Sequence, residues 1–174
     1  MTQTKTKQSQ DELAAGLKAA MRRMPGAVAL ITTRDPASGE PAGLAASAVI
    51  PVSMDPPSML ISVNRSASAH AAIERAGRFC INLLGTSQTD LVGVFSNSDL
   101  RDRRFASEAW RHDDGLPSLA DACASIFCEV RATLIHGTHE LFVGDVYSVE
   151  TAVVDGSDPL GWIEGAFARL GPLA

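Results

Sequence analysis

Two short stretches combine small side chains with hydrogen-bonding groups in a pattern that suits a bound ligand. The first, GLAASAVIPVS from Gly43 to Ser53, reads as a strand in which Ala45, Ala46, Ser47 and Ala48 leave the backbone uncovered. Its N–H and C=O groups can approach a flat polar ring, and Ser47 and Ser53 add hydroxyls that donate or accept. The second, NRSASAH from Asn64 to His70, sets the fixed cation Arg65 among the short polar side chains of Asn64, Ser66 and Ser68. Such a turn suits a phosphate, because a guanidinium presents a planar fork of donors to an oxyanion. The same residues fit a plainer reading, in which small strand residues mark close packing and the turn is a solvated helix cap. Spacing alone leaves both open.

The elements that must hold these stretches can be read around them. Asp55-Pro56-Pro57 stops the first, and Ser58 to Val63 forms a strand that delivers the second. Upstream, Leu13, Leu17, Met21 and Met24 recur at helical spacing behind acidic Asp11 and Glu12, with Lys18, Arg22 and Arg23 toward the end. Pro25-Gly26 ends that helix, Ala27 to Thr33 reads as a strand, and a Pro- and Gly-rich turn leads antiparallel into the Gly43 strand. Downstream, Ala69 to Ala76 reads as a short helix capped by Ser66 or Ser68 and broken by Gly77. Phe79 to Leu84 is a strand and Thr86 to Phe95 a second short helix; Ser96 to Trp110 is the most charged segment, read as surface and a candidate flap. A long hairpin follows from Ala122, turning at Gly137-Thr138, and Leu160 to Glu164 is a last strand before a short tail. About seven strands, short helices and no βαβ alternation predict a mainly β protein, a closed or nearly closed antiparallel barrel.

With 174 residues and 45% hydrophobic content the chain is the size of one domain, expected over 11–174 behind a polar, disordered arm at 1–10. A net charge of -5 argues against a nucleic-acid or anionic-membrane surface. The apolar runs fall far short of the roughly 20 residues that span a bilayer, and the polar start lacks a secretory apolar region, so a cytoplasmic address is expected. Cys80, Cys123 and Cys128 stand in apolar surroundings without a CxxC pair or zinc spacing and read as core thiols. His136 and His139 form an HxxH with no further ligand nearby in sequence, so no metal is expected. There is no Walker loop, GxGxxG or Ser-His-Asp elbow.

The ordered series GLAASAVIPVSMDPP, NRSASAH, GRFCINLL, VFS with RRF, GLP, GTHELFVGDV and PLGWIEGAFARL resembles the short-chain flavin reductases, the small reductase components of two-component flavin monooxygenases. The resemblance runs from about Met21 to Leu170. It implies an antiparallel split β-barrel, a homodimer with sites near its interface, and reduction of free FAD or FMN by NADH or NADPH. The dihydroflavin would pass to a monooxygenase partner acting on an aromatic compound.

By the same resemblance Ala45, Ala46, Ser47, Ala48 and Val49 would meet the isoalloxazine ring and ribityl chain. Ser62, Val63, Asn64, Arg65, Ser66 and Ser68 would hold the phosphate end, Phe95 and Ser96 would lie near the flavin, and His139 would bind nicotinamide. Arg104-Phe105 matches a family Arg-Phe pair, and the residues themselves fit a core Phe beside solvated arginines equally well. His70 belongs beside the phosphate loop and His112 has no role. Several positions depart from the family. Ala45 and Ala48 replace Thr and Ser, Val49 replaces an aromatic, Arg103 stands where an acid precedes the Arg-Phe pair, and Gly165-Ala166-Phe167 replaces Gly-Arg-Tyr. Phe167 keeps only an aromatic face for the nicotinamide. Two alternatives remain: a non-catalytic flavin- or heme-binding protein on the same fold, or an interaction protein that has lost the site.

Overall fold

A computed structural model describes residues 8–112, 115–151 and 158–172. The chain runs through α1 (Gln10–Met21), β1 (Gly26–Ala27), β2 (Ala29–Arg34), β3 (Pro41–Ala46), β4 (Val49–Met54), β5 (Pro57–Asn64), α2 (His70–Ala76) and β6 (Arg78–Leu83). It continues through α3 (Thr89–Ser96), β7 (Trp110–Arg111), β8 (Ser118–Leu119), β9 (Ala124–His136), β10 (His139–Thr151), β11 (Leu160–Ile163) and β12 (Ala166–Arg169).

A seven-stranded sheet runs in the order β3-β2-β6-β9-β10-β5-β4 with every neighbouring pair antiparallel. Its two edges, β3 and β4, are consecutive in the chain and joined only by Ser47 and Ala48. A joint that short spans at most about 11 Å between the strand ends, so the sheet curls until its edges nearly meet. Ser62 N–H of β5 donates to Ala48 C=O at 3.2 Å, which extends the β4–β5 ladder to the joint itself. The result is the antiparallel split barrel.

Strand β2 explains why AVALITT has no polar alternation. Ala29 and Ile31 lie in the barrel core with Ile61, Val63, Phe79, Ile81 and Phe142, while Val28 and Leu30 join an outer cluster with Leu84, Phe95, Trp110 and Leu160. Alternate side chains of one strand are thus buried on opposite faces, at about 1.5–3 kcal/mol for each large apolar group. Asn82, fully buried, satisfies this crowded centre by donating to Leu30 C=O and Thr32 Oγ1 and accepting from Leu119 N–H and Ser125 Oγ.

A second, three-stranded sheet, β1-β11-β12, is stitched to the barrel through Val28 N–H to Leu160 C=O and Leu84 N–H to Val28 C=O. Its β11–β12 turn uses Glu164 (φ 56°) and Gly165 (φ 82°), the paired left-handed residues of a tight hairpin. The end of α1 grips this turn. Glu164 N–H donates to Arg22 C=O at 2.7 Å, Arg22 Nη2 donates back to Glu164 C=O, and Arg23 pairs with the Glu164 carboxylate at 3.0 Å.

Several expectations need correcting. Ser9 and Gln10 belong to α1 and not to an arm: Ser9 Oγ accepts from Glu12 N–H while the Glu12 carboxylate accepts from Ser9 N–H. Residues 1–7 of that arm lie outside the described residues. The predicted Ala27 strand breaks at Val28, where the chain changes sheets, and the Gly43–Ser53 run breaks at Ser47-Ala48, where it passes from one sheet edge to the other. Neither Ser66 nor Ser68 caps α2, whose N-cap is Ala69 without a side-chain bond. The segment 96–110 is no solvated flap throughout, since Arg104 and Trp110 are buried. The tail after Gly165 is a strand, β12. No helix among the described residues is long and apolar enough to cross a membrane.

Candidate active site

The joint between β3 and β4 opens on a cleft with two chemically distinct ends. One end, about 200 Å³, is lined by Val28, Ala45, Ala46, Ser47, Val92, Ser96, Trp162 and Phe167. The other, about 410 Å³, is lined by Leu44, Ala45, Ser66, Ala67, Ser68, Phe95, Ser96, Ser98, Arg101 and Arg104. They meet at Ala45 and Ser96. The first is an apolar slot between a backbone edge and the Trp162–Phe167 pair, whose rings meet edge to face at 5.2 Å. The second gathers hydroxyls and two guanidinium groups. A flat ring carrying an anionic tail fits such a pairing of ends.

Arg104 organises the polar end. Only 7% exposed, it donates through Nη1 to Gly43 C=O at 2.9 Å and Ser68 Oγ at 3.3 Å and through Nη2 to Asn97 C=O at 3.3 Å. Its guanidinium lies 5.6 Å from the Phe95 ring centroid. It thereby ties β3, the 64–69 loop and the end of α3 together. Its Nε is buried without a partner among the described residues. Burial, with Arg101 nearby, holds its pKa below the usual arginine value. An anion in the cavity that Arg104 lines would favour its charged form again.

The position of Gly43 follows from the same packing. A Cβ there would lie 2.8 Å from Ile31 C=O and 2.9 Å from Phe95 Cε1. Phe95, Phe105 and Trp110 form a contiguous aromatic cluster behind β3, with centroids 4.9–5.6 Å apart. The solvated-arginine alternative therefore fails at Arg104.

The cleft brings together Ala45, Ala46, Ser47, Ser66, Ser68, Phe95, Ser96 and Phe167 from the sequence reading. Ala48 lies at the joint, its carbonyl occupied by Ser62 N–H. Val49 and Val63 pack with the barrel core. Ser53 Oγ is used locally, accepting from Asp55 N–H and donating to Asp55 C=O. Asn64 shapes the loop by accepting from Ser66 N–H and Oγ, and Arg65 is exposed. His139 is exposed at the β9–β10 turn, opposite Asn64 in the β5–β10 register, with Nδ1 2.9 Å from Thr138 Oγ1. It lines neither end of the cleft.

Sequence reasoning missed Trp162 and Arg101, which line the cleft. WIEGAF carried a usable signal, an acid-Gly pair flanked by apolar residues at hairpin spacing. It also missed the buried pair of His70 and Glu140, whose Nε2 and Oε2 stand 2.7 Å apart. The core reading holds for Cys80 and Cys128, which are buried free thiols, whereas Cys123 is only half-buried.

Comparison with known proteins agrees with this architecture. The family described as "Flavin reductase like domain" matches residues 21–171. A relative from Methylorubrum populi, named FMN reductase (NADH) RutF, is 38% identical over 153 residues, covering 87% of this chain and 75% of its own. Nitrilotriacetate monooxygenase component B from Mycobacterium thermoresistibile superposes with a TM-score of 0.85 at 26% identity, over 94% of this chain and 90% of that one. The styrene monooxygenase flavin reductase of Pseudomonas putida S12 gives 0.80 at 26% identity, over 91% and 99%. A two-ended cleft on a split barrel, with a match over nearly the whole chain, places this protein in the flavin reductase family.

Proposed function

We propose that this chain is an NADH-dependent reductase of free FMN that hands the reduced flavin to a separate monooxygenase, one that hydroxylates an aromatic compound. The observation that carries the reading is that the apolar slot and the hydroxyl- and guanidinium-lined cavity adjoin, sharing Ala45 and Ser96 as wall residues. The name of the Methylorubrum relative supports FMN and NADH over FAD and NADPH. The names of the solved reductases support an oxygenase partner.

In this reading the exposed backbone of Ala45 to Ser47 holds the ring, and Ser66, Ser68, Arg101 and Arg104 hold the phosphate. Arg104 fits that role, being buried and already fixed by its bonds to Gly43, Ser68 and Asn97. When bound, the two nucleotides supply the hydride chemistry, flavin as acceptor and nicotinamide as donor. The protein binds and orients. Trp162 and Phe167 offer aromatic faces at the apolar end, which stack a planar ring and exclude water from one side of it. His139 hydrogen-bonds the nicotinamide carboxamide from the hairpin turn, and its place outside the cleft of a single chain fits a second copy bringing the two together. The exposed stripes Leu13-Leu17-Met21-Met24 on α1 and Ile50-Val52-Met54 on β4 supply apolar surface for such a homodimer. Buried free thiols fit the reducing cytoplasm, and the chain from Ser9 onward acts as a single domain.

The test is NADH oxidation by purified protein with FMN, FAD or no flavin, and with NADPH in place of NADH. Turnover that depends on added FMN and NADH is expected. Flavin binding without turnover would leave a storage protein in its place, and neither binding nor turnover would refute the reading.

A further inference from the structure

The buried acid–base pair that this mechanism does not use sits behind the polar end of the cleft. His70 is 8% exposed and Glu140 5%, in a core otherwise made of Ile73, Val63, Phe142 and Ala69. His70 Nε2–H donates to Glu140 Oε2 at 2.7 Å, and the imidazole edge meets the Phe142 ring at a centroid distance of 5.7 Å. Apolar residues of similar volume would fill this space at no desolvation cost, so a retained polar pair points to a need for fixed geometry.

What the pair fixes can be traced bond by bond. Glu140 lies in β10 beside Val63 of β5, one residue after His139. His70 opens α2 directly after the loop that contributes Ser66, Ala67 and Ser68 to the cleft. The start of that loop is tied to the β9–β10 turn by Arg65 N–H donating to Thr138 C=O at 2.9 Å. Its middle is closed by Ala67 N–H to Asn64 C=O at 2.8 Å and His70 N–H to Ala67 C=O at 3.0 Å. The start of α2 has no side-chain cap, since its N-cap is an alanine, so the bond of His70 to Glu140 is what fixes it to β10. Ser68, two residues before His70, then accepts from Arg104 Nη1 at 3.3 Å.

We propose that His70 and Glu140 are a positioning pair that pins the end of the 64–69 loop to β10 and so sets Ser68 and Arg104 for the phosphate of the flavin. The inference rests on the cleft reading above for its ligand, but the loop anchoring stands on its own. A filler pair would affect the whole fold evenly. A positioning pair affects the anion end and spares the ring end.

The test compares His70→Ala, His70→Gln and Glu140→Ala in the full chain by titration with FMN and with riboflavin, which lacks the phosphate, and by hydrogen exchange. His70→Ala is expected to weaken FMN binding about tenfold and riboflavin binding less than about twofold, the effect of losing one hydrogen bond to a charged group at the phosphate end only. Exchange should quicken over 64–69 and stay unchanged in β9. His70→Gln, whose amide still donates to Glu140, should recover most of the loss. Equal weakening of both flavins, no change in either, or no recovery by glutamine would overturn the proposal. If the wild-type protein binds neither flavin, the functional reading fails separately and the exchange result alone decides the pair: unchanged exchange over 64–69 overturns it. Should His70→Ala not fold, Glu140→Ala, which removes the acceptor, carries the same comparison.

Discussion

Gly43→Ala tests the packing that shapes the cleft. The added Cβ meets Ile31 C=O at 2.8 Å, Phe95 Cε1 at 2.9 Å and Phe105 Cζ at 3.2 Å. The carbonyl belongs to β2, where Thr32 pairs with Gly43, and cannot retreat without opening the β2–β3 ladder. The two rings cannot both retreat either, because Trp110 stands 5.6 Å from one and 4.9 Å from the other by centroid. Overpacking of this kind costs about 2–3 kcal/mol. For a domain of this size that lowers Tm by roughly 4–12 °C. Gly43 C=O also accepts from Arg104, so FMN affinity should fall with it. Thermal unfolding by circular dichroism and a flavin titration read the two effects. A Gly43→Ala protein with unchanged Tm would refute the packing argument, and one with lower Tm but wild-type FMN affinity would refute the link to Arg104.

Arg104→Lys keeps the charge but loses the fork that reaches Gly43, Ser68 and Asn97; FMN affinity should fall about tenfold with riboflavin affinity unchanged, as measured by calorimetry. Trp162 lines the ring end while Trp110 is buried, so bound flavin should quench tryptophan fluorescence, and Trp162→Phe should remove most of the quench. Burial pushes the Cys80 and Cys128 thiols up to about 12. An acid whose folded pKa is raised stabilises the fold fully below the unfolded thiol value of about 8.5 and loses that contribution as pH rises toward the folded one. Urea midpoints should therefore fall progressively above pH ~8.5, and Cys80→Ala should flatten the decline; a flat profile in the wild type would contradict it. Both thiols should also resist alkylation in native protein.

Much of the barrel was legible because its strands carry strong local signals. The Gly137-Thr138 turn between two apolar runs and the Pro-Pro stop before SMLISV place β5, β9 and β10 and the end of β4 closely. What was hidden depended on partners distant in sequence. Nothing local says that Val28 must change sheets, since that follows from its bonds to Leu84 and Leu160. Arg104 looked like one more member of a charged surface segment, and its burial is decided by Gly43 and Ser68, 61 and 36 residues away. The small residues of GLAAS were read as room for a ligand. That holds for Ala45, Ala46 and Ser47, which line the cleft, but Gly43 is small to admit two phenyl rings. His70 was placed beside the right loop, yet its bond to Glu140 joins residues 70 apart.

The strand order has a consequence for how the molecule is made. The β2–β3, β4–β5 and β9–β10 hairpins are local and can zip early, whereas β5–β10, β6–β9 and β2–β6 join segments far apart in the chain. Non-local pairings close slowly, because loop entropy is lost before their contacts form. Ser47 and Ala48 become a joint between two sheet edges only when every one of those pairings exists. The ligand can therefore recognise nothing but the finished barrel, and by binding only that state it would protect the chain from unfolding in proportion to its concentration over its Kd.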